Sequence, residues 1–131
     1  MATVTKERIM EILATTKDLS GMDLSGMDLY KTNLHGAKLR EANLRGAKLD
    51  FADLCGADIY GADLSGASLY GAKLCNADLR GTRLCGANLA HAKLGLAKLY
   101  GAKLNGADLR GADIPYFYMD FRGVDLSKAY I

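Results

Sequence analysis

The sequence has no tryptophan, a single proline and no long apolar run. A membrane-spanning helix needs about 20 apolar residues in succession, and no stretch of that kind is present. The near-absence of proline excludes a collagen-like or proline-rich disordered chain. The first residues carry charges such as Lys6, Glu7 and Arg8 and lack the apolar centre of a secretory signal peptide. We therefore expect no membrane partner and a cytoplasmic location.

Cysteine and net charge are also scarce. Three cysteines in 131 residues are too few for a disulfide framework and are typical of reduced thiols. Seventeen basic and fifteen acidic side chains nearly cancel, so the total charge favours no class of partner. Half of the residues are apolar, which is enough to build a core and excludes intrinsic disorder.

Glycine, by contrast, is abundant, with 15 residues that recur at a fixed interval. Every fifth residue from Leu19 to Ile114 is Leu or Ile, and glycine usually follows it by two. A small residue precedes it by two in all but the first three units, which have Lys17, Met22 and Met27 there. Near 115–118 the frame slips by two residues and then resumes up to Ile131, which gives 23 units in all.

A period of five fits neither an α-helix nor a continuous strand. Within each unit the small residue and the Leu are two apart, so both face one side of a short extended segment. The glycine then allows a turn that restarts the pattern. A chain that turns in every unit and always buries the same side must coil, and its coils must stack to bury the leucines. The repeat therefore predicts an all-β solenoid.

Units such as Ala52-Asp53-Leu54-Cys55-Gly56 resemble the pentapeptide repeat family, in particular its small cyanobacterial-type members. The resemblance covers residues 17–131. It implies a right-handed quadrilateral β-helix with four units per coil, hence just under six coils. The residues that replace glycine weakly support four units per coil. Most of them are separated by multiples of twenty residues, so they would lie in the same columns of a twenty-residue coil.

Residues 1–16 lack the five-residue period. Val4, Ile9, Ile12 and Leu13 recur at helical spacing and a threonine before them can cap the helix. We predict a short amphipathic helix over about 5–14 that covers the first coil, because solenoids need caps over exposed core and strand edges.

The other end of the chain carries an aromatic insert, Tyr116-Phe117-Tyr118. Two interpretations stay open. In one, these rings and Tyr130 fold over the stack; in the other, the last coil is a self-association surface. The family resemblance implies the second, a homodimer through the C-terminal coil.

No constellation predicts catalysis, a metal or a cofactor. His35 and His91 fall at different positions of the repeat, and the glycines are explained by turns. Cys55 and Cys75 are twenty residues apart, so they would stack at about 4.8 Å, within the Cα range that a disulfide tolerates. A straight column converges poorly on a tetrahedral zinc ion. We interpret these cysteines as reduced, half-exposed thiols, and we expect a protein that is not an enzyme.

Charge sorted onto four faces is nearly even, between zero and +1 on each face. The best-known activity implied by the resemblance is that of acidic DNA mimics that modulate type II topoisomerases. Such a mimic needs a sustained negative field, and a nucleic-acid binder needs a basic stripe. The even distribution disfavours the DNA mimic, which we keep as the alternative function, and argues against nucleic acid as a partner.

One column of side chains remains as a candidate interaction surface. Arg40, Tyr60, Arg80 and Tyr100 should stack on one face, where Tyr60, Arg80 and Tyr100 could alternate as ring, cation and ring. Such a column can stabilise the surface or bind a partner. We therefore predict a non-enzymatic structural or protein-binding repeat module, whose protein partner the sequence does not identify.

Overall fold

The computed structural model describes residues 4–114 and 120–131. In those residues the repeat forms coils of twenty residues. Single parallel β-bridges join the outward-facing residue of each unit to the one four units later, from the pair Asp18 and Lys38 to the pair Lys93 and Asp113. No longer strand forms within the described residues, because a turn interrupts the extended backbone in every unit.

Helix α1 spans Lys6–Leu13, one residue shorter at each end than the sequence predicts. The Thr5 hydroxyl accepts a hydrogen bond from the Arg8 backbone amide at 3.2 Å and fixes where the helix begins. Ile9 and Leu13 bury their side chains in the same apolar cluster as the repeat leucines. No helix among the described residues has the length and apolar character needed to cross a membrane.

Each corner of the coil is a hydrogen-bonded turn. In the turn from Leu34 to Ala37, the Ala37 amide donates to the Leu34 carbonyl at 3.0 Å, and Gly36 has φ 67°. A positive φ at the third residue defines a type II turn. Between coils, the Leu34 amide donates to the Asp53 carbonyl at 2.7 Å, and the Asp53 amide donates to the Thr32 carbonyl at 3.0 Å. The backbone is therefore satisfied both within and between coils.

The left-handed turn position explains the glycine count. Fourteen of the fifteen glycines have φ between 63° and 72°, and the exception is Gly95. Other residues at this position keep the same backbone, with φ between 56° and 60°: Lys31, Glu41, Phe51, Asn76, His91, Leu96 and Lys128. The turn geometry thus belongs to the coil, and glycine is the residue that adopts it without strain.

The interior is a layered apolar column. The Leu or Ile of each unit from Leu19 to Leu109 is at most 4% exposed, and the alanines two positions before them, from Ala37 to Ala107, are equally buried. Thr82 replaces an alanine and donates its hydroxyl to the Ile59 carbonyl at 2.8 Å, so this buried polar group is satisfied.

Beyond residues 115–119 the spacing between bridged residues rises to 22, as in the pair Lys103 and Asp125 and the pair Asp108 and Tyr130. Two additional residues therefore separate the last units from the coil to which they pair. The last units still stack on the coil before them, but equivalent residues are 22 apart in number there and not 20.

Candidate interaction surfaces

The column predicted from the sequence lies on the face that contains Leu19; we call Arg40, Tyr60, Arg80 and Tyr100 the cation–aromatic ladder. The Arg40 guanidinium carbon lies 4.9 Å from the centre of the Tyr60 ring, and that of Arg80 lies 5.6 Å from it. Tyr60 is thus held between two cations, each within the range of a cation–π contact.

The ladder differs from the sequence expectation at Tyr100. That ring is paired with Arg122, whose guanidinium carbon lies 5.5 Å from the ring centre. The frame slip brings Arg122 into the column. The Arg80 guanidinium instead donates two hydrogen bonds to Asp78, with Nε 2.8 Å from Oδ1 and Nη2 2.7 Å from Oδ2. This bidentate pair orients the guanidinium of Arg80, and Arg122 contacts the Tyr100 ring in its place.

Carboxylates hold the arginines of the ladder in place. Arg40 Nε donates to Asp58 Oδ2 at 2.6 Å, and this hydrogen bond is the main reason that the pKa of Arg40 is raised. The hydrogen bond from the Arg80 side chain likewise lowers the pKa of Asp78. Solvent screens these largely exposed pairs, so they contribute orientation more than stability.

The other predicted surface residues, Tyr116, Phe117 and Tyr118, lie outside the described residues. The units that follow them expose large apolar side chains: Leu126 is 36%, Tyr130 60% and Ile131 69% exposed. The Arg110 guanidinium carbon lies 5.5 Å from the Tyr130 ring centre.

A second surface was missed by the sequence reasoning. On the opposite face, which contains Leu29, four rings form an aromatic ladder: Tyr30, Phe51, Tyr70 and His91. Successive ring centres are 6.1, 5.6 and 5.3 Å apart, and each pair meets edge to face. This geometry is the one that aromatic pairs prefer.

The rings come from two positions of the repeat. Tyr30 and Tyr70 directly follow a leucine, whereas Phe51 and His91 occupy the glycine position. The Phe51 ring covers Gly71 of the next coil, where a Cβ atom would lie 2.6 Å from Phe51 Cε1. Neither the position after the leucine nor the glycine position shows this ladder when it is considered alone. The ladder is apparent only when the residues of both positions on this face are considered together.

The thiols and histidines do not converge. Cys55, Cys75 and Cys85 are free and half-buried. Burial is the main cause that raises the pKa of the Cys55 thiol to about 11, followed by the Asp53 carboxylate. His35 Nδ1 lies 3.9 Å from Asp53 Oδ1. Across 4–114 and 120–131, no three His, Cys, Asp or Glu side chains form a group that could hold a metal ion.

Comparison with known proteins shows a family match over most of the chain. A family model of pentapeptide repeats matches residues 18–46, 37–76 and 77–114 with 8 copies. No curated protein matches the sequence.

Several solved structures are similar to the chain. A pentapeptide repeat protein of the Arabidopsis thaliana thylakoid lumen is 40% identical over 72% of this chain and 67% of that chain, with a TM-score of 0.69. A pentapeptide repeat protein from Nostoc PCC 7120 is 31% identical over 92% of this chain and 94% of that chain, with a TM-score of 0.45. QnrB1, a plasmid-mediated fluoroquinolone resistance protein, is 19% identical over 78% of this chain and 58% of that chain, with a TM-score of 0.45.

The family match spans most of the chain, and the Arabidopsis thaliana structure supports the same fold. Pentapeptide repeat proteins form right-handed quadrilateral β-helices and generally serve as structural or binding modules. The twenty-residue coil, the turn at every fifth residue and the matched segments agree, and this chain belongs to the pentapeptide repeat family.

Proposed function

We propose that this chain is a non-enzymatic protein-binding module and that the cation–aromatic ladder is its binding surface. The observation that carries the proposal is the alternation of arginine and tyrosine along one face, with guanidinium-to-ring distances of 4.9 to 5.6 Å. Tyr60 and Tyr100 remain 41% and 52% exposed. Tyrosine and arginine are the residue types that most often dominate binding energy at protein interfaces.

The rigid coil supports this role. Hydrogen bonds between coils fix the backbone beneath the ladder; the Glu41 amide, for example, donates to the Tyr60 carbonyl at 2.9 Å. Carboxylates hold the arginine side chains before any partner arrives. Little side-chain freedom is then lost on binding, which favours affinity for a given contact area.

The experiment is a capture of partners from the native host with two matched variants. Arg40→Ala removes a cation from the ladder. Arg45→Ala is its control, because Arg45 occupies the same position of the next unit and pairs with Asp63 at 3.1 Å on the adjacent face. We expect a partner retained by the parent and by Arg45→Ala but lost with Arg40→Ala. Equal retention by both variants would exclude this ladder as the binding surface.

We also propose that α1 caps the first of just under six coils. Support comes from Ile9, which is fully buried in the core cluster, and from the general need of solenoids for covered ends. The three free thiols are consistent with a role in the reducing cytoplasm, where we place this protein.

A homodimer through the C-terminal coil is a further proposal. It is supported by the exposed side chains of Leu126, Tyr130 and Ile131 in the last units of the coil. Light scattering should then give twice the 14.0 kDa mass of one chain. A Leu126→Glu variant should return the mass to that of a monomer, and a monomeric parent at high concentration would exclude the dimer.

A further inference from the structure

The two ladders differ at equivalent positions. In the cation–aromatic ladder, Arg80 lies between Tyr60 and Tyr100 in the position directly after the leucine. On the opposite face the same position between Tyr30 and Tyr70 is held by Asp50. A carboxylate thus stands where the first face has a guanidinium.

Asp50 is fixed in place but lacks a cationic partner. Its Oδ1 atom accepts hydrogen bonds from the Ser68 hydroxyl and, at 3.2 Å, from the Tyr70 amide. Within the described part of the chain, no basic side chain lies within 4.0 Å of its carboxylate. The four arginines that contact tyrosines on the two faces each bind an aspartate as well: Arg40, Arg80, Arg110 and Arg122.

Three aromatic residues neighbour Asp50 along the chain or in its column. Phe51 is the next residue along the chain, and its ring centre lies 6.1 Å from that of Tyr30 and 5.6 Å from that of Tyr70. All three rings are well exposed, at 47%, 49% and 39%. The Lys31 ammonium lies 5.3 Å from the centre of the Tyr30 ring, so this ring already attracts a cation of the chain itself.

The spacing of the coils places Asp50 midway between the two tyrosines. Tyr30 and Tyr70 are two coils apart, about 9.6 Å at the usual strand spacing, so a cation on the solvent side of Asp50 would lie about 4.8 Å from each column position. The guanidinium-to-ring distances elsewhere in the chain are 4.9 to 5.6 Å. A carboxylate and exposed aromatic rings in one column both attract a cation, through the negative charge and through the ring faces.

We propose that Tyr30, Asp50, Phe51 and Tyr70 form a binding site for an arginine side chain of a protein partner. The carboxylate provides the charge-assisted hydrogen bond, and the rings provide flat surfaces on which a guanidinium stacks. An arginine would complete here the arrangement of ring, guanidinium and carboxylate that the chain builds from its own residues on the opposite face. The site goes beyond the proposed function, because it lies on the face opposite the cation–aromatic ladder and names the chemistry of a second contact.

The experiment is an NMR titration of the intact chain with blocked arginine, N-acetyl-arginine amide. Saturable shifts should appear in the ring resonances of Tyr30, Phe51 and Tyr70 at millimolar or higher concentrations of the ligand, because exposed cation–π and ion-pair contacts are individually weak. Blocked norleucine, which has no charge, should produce no saturable shift. Shifts that are confined to other tyrosines would overturn the site.

Two substitutions separate the site from a general attraction of cations. Asp50→Asn keeps the acceptor for Ser68 but removes the charge, and it should weaken arginine binding about three- to tenfold. Asp28→Asn is the matched control, since its carboxylate lies on the same face and accepts the Tyr30 amide at 3.1 Å but is not between the two tyrosines of the column; it should bind as the parent does. Equal affinities of Asp50→Asn and the parent would refute the proposal.

A third variant, Asp50→Arg, supplies the cation within the chain. It should abolish binding of blocked arginine while circular dichroism shows an intact coil. Retained binding would exclude a site at this position. The result is independent of the partner capture above: loss of arginine binding at Asp50 leaves the role of Arg40 untouched, and equal capture by the Arg40 and Arg45 variants leaves this site untouched.

Discussion

Gly71 and Gly66 allow the effect of a ring on a left-handed turn to be measured. Both have positive φ, 63° at Gly71 and 69° at Gly66. A Cβ atom at Gly66 would meet nothing within 4 Å, whereas one at Gly71 would lie 2.6 Å from Cε1 and 2.8 Å from Cδ1 of Phe51. Substitution by alanine therefore strains the backbone at both positions but displaces a ring only at Gly71.

The expected losses follow from these contacts. Placing alanine in the left-handed region costs about 1 kcal/mol or somewhat more, which is the whole expected loss for Gly66→Ala. At Gly71 the Phe51 ring must also move away from Tyr30 and Tyr70, and each edge-to-face pair contributes about 0.5–1.5 kcal/mol. We therefore expect Gly71→Ala to lower the free energy of unfolding by about 1–3 kcal/mol more than Gly66→Ala.

Urea unfolding followed by circular dichroism measures both losses. The decisive control is a double-mutant cycle with Phe51→Ala, which removes the ring that the new methyl group would meet. In that background Gly71→Ala should cost only the backbone strain, as Gly66→Ala does. If Gly71→Ala and Gly66→Ala were equally destabilising in the parent, the ring contact would carry no energy and the reasoning would be refuted.

Further expected outcomes concern the packing of the interior, one ion pair, one thiol and the overall charge. Leu69→Ala, at a side chain with no exposure, should cost about 2–5 kcal/mol in the same urea assay, and a loss below 1 kcal/mol would show a loosely packed interior. Hydrogen bonds from Arg110 lower the pKa of Asp108 to about 2, so its stabilising effect is complete above the unfolded pKa and disappears as the pH falls towards 2. Arg110→Ala should return that pKa towards 3.8 in a carboxyl NMR titration. Because burial raises the pKa of Cys55 to about 11, iodoacetamide at pH 8 should label it much more slowly than in the urea-unfolded chain, and equal rates would contradict this. Gyrase supercoiling should continue at stoichiometric protein, because acidic and basic groups balance; inhibition would restore the DNA-mimic alternative.

The fold was predictable because one rule is repeated along the chain. Leu19 and every fifth residue after it define the buried layer, and the glycine two residues later defines the turn. The structure confirms the twenty-residue coil that this rule and the family resemblance imply. Local propensity has little influence here, since Phe51 and His91 adopt the same left-handed turn as glycine.

The surfaces were predictable only in part. The contacts of Arg80 and Arg40 with Tyr60 follow from stacking residues that are twenty apart. The partner of Tyr100 does not, because Arg122 enters the column only through the two-residue slip. Side-chain direction also matters, since the Arg80 guanidinium donates both of its hydrogen bonds to Asp78. The spacing of residues in the sequence predicts the position of a Cα atom in a column, but not the direction of a long side chain.

Three of the residues that replace glycine lie over a glycine of the next coil. Each of these side chains is close to the space that a Cβ atom would fill at that glycine. Phe51 covers Gly71, His91 covers Gly111 at 2.6 Å, and Glu41 Cγ lies 3.5 Å from the Cβ site of Gly61.

Lys31 and Asn76 differ, because Phe51 and Leu96, and not glycine, hold the same position in the next coil. The Lys31 side chain turns back to the ring of Tyr30, at 5.3 Å, and so leaves the position above it free for Phe51. The first ring at the turn position of the aromatic ladder, that of Phe51, is therefore one coil after Lys31. The same turn keeps the Lys31 ammonium more than 4.0 Å from Asp50, whose carboxylate remains without a cation from the described chain.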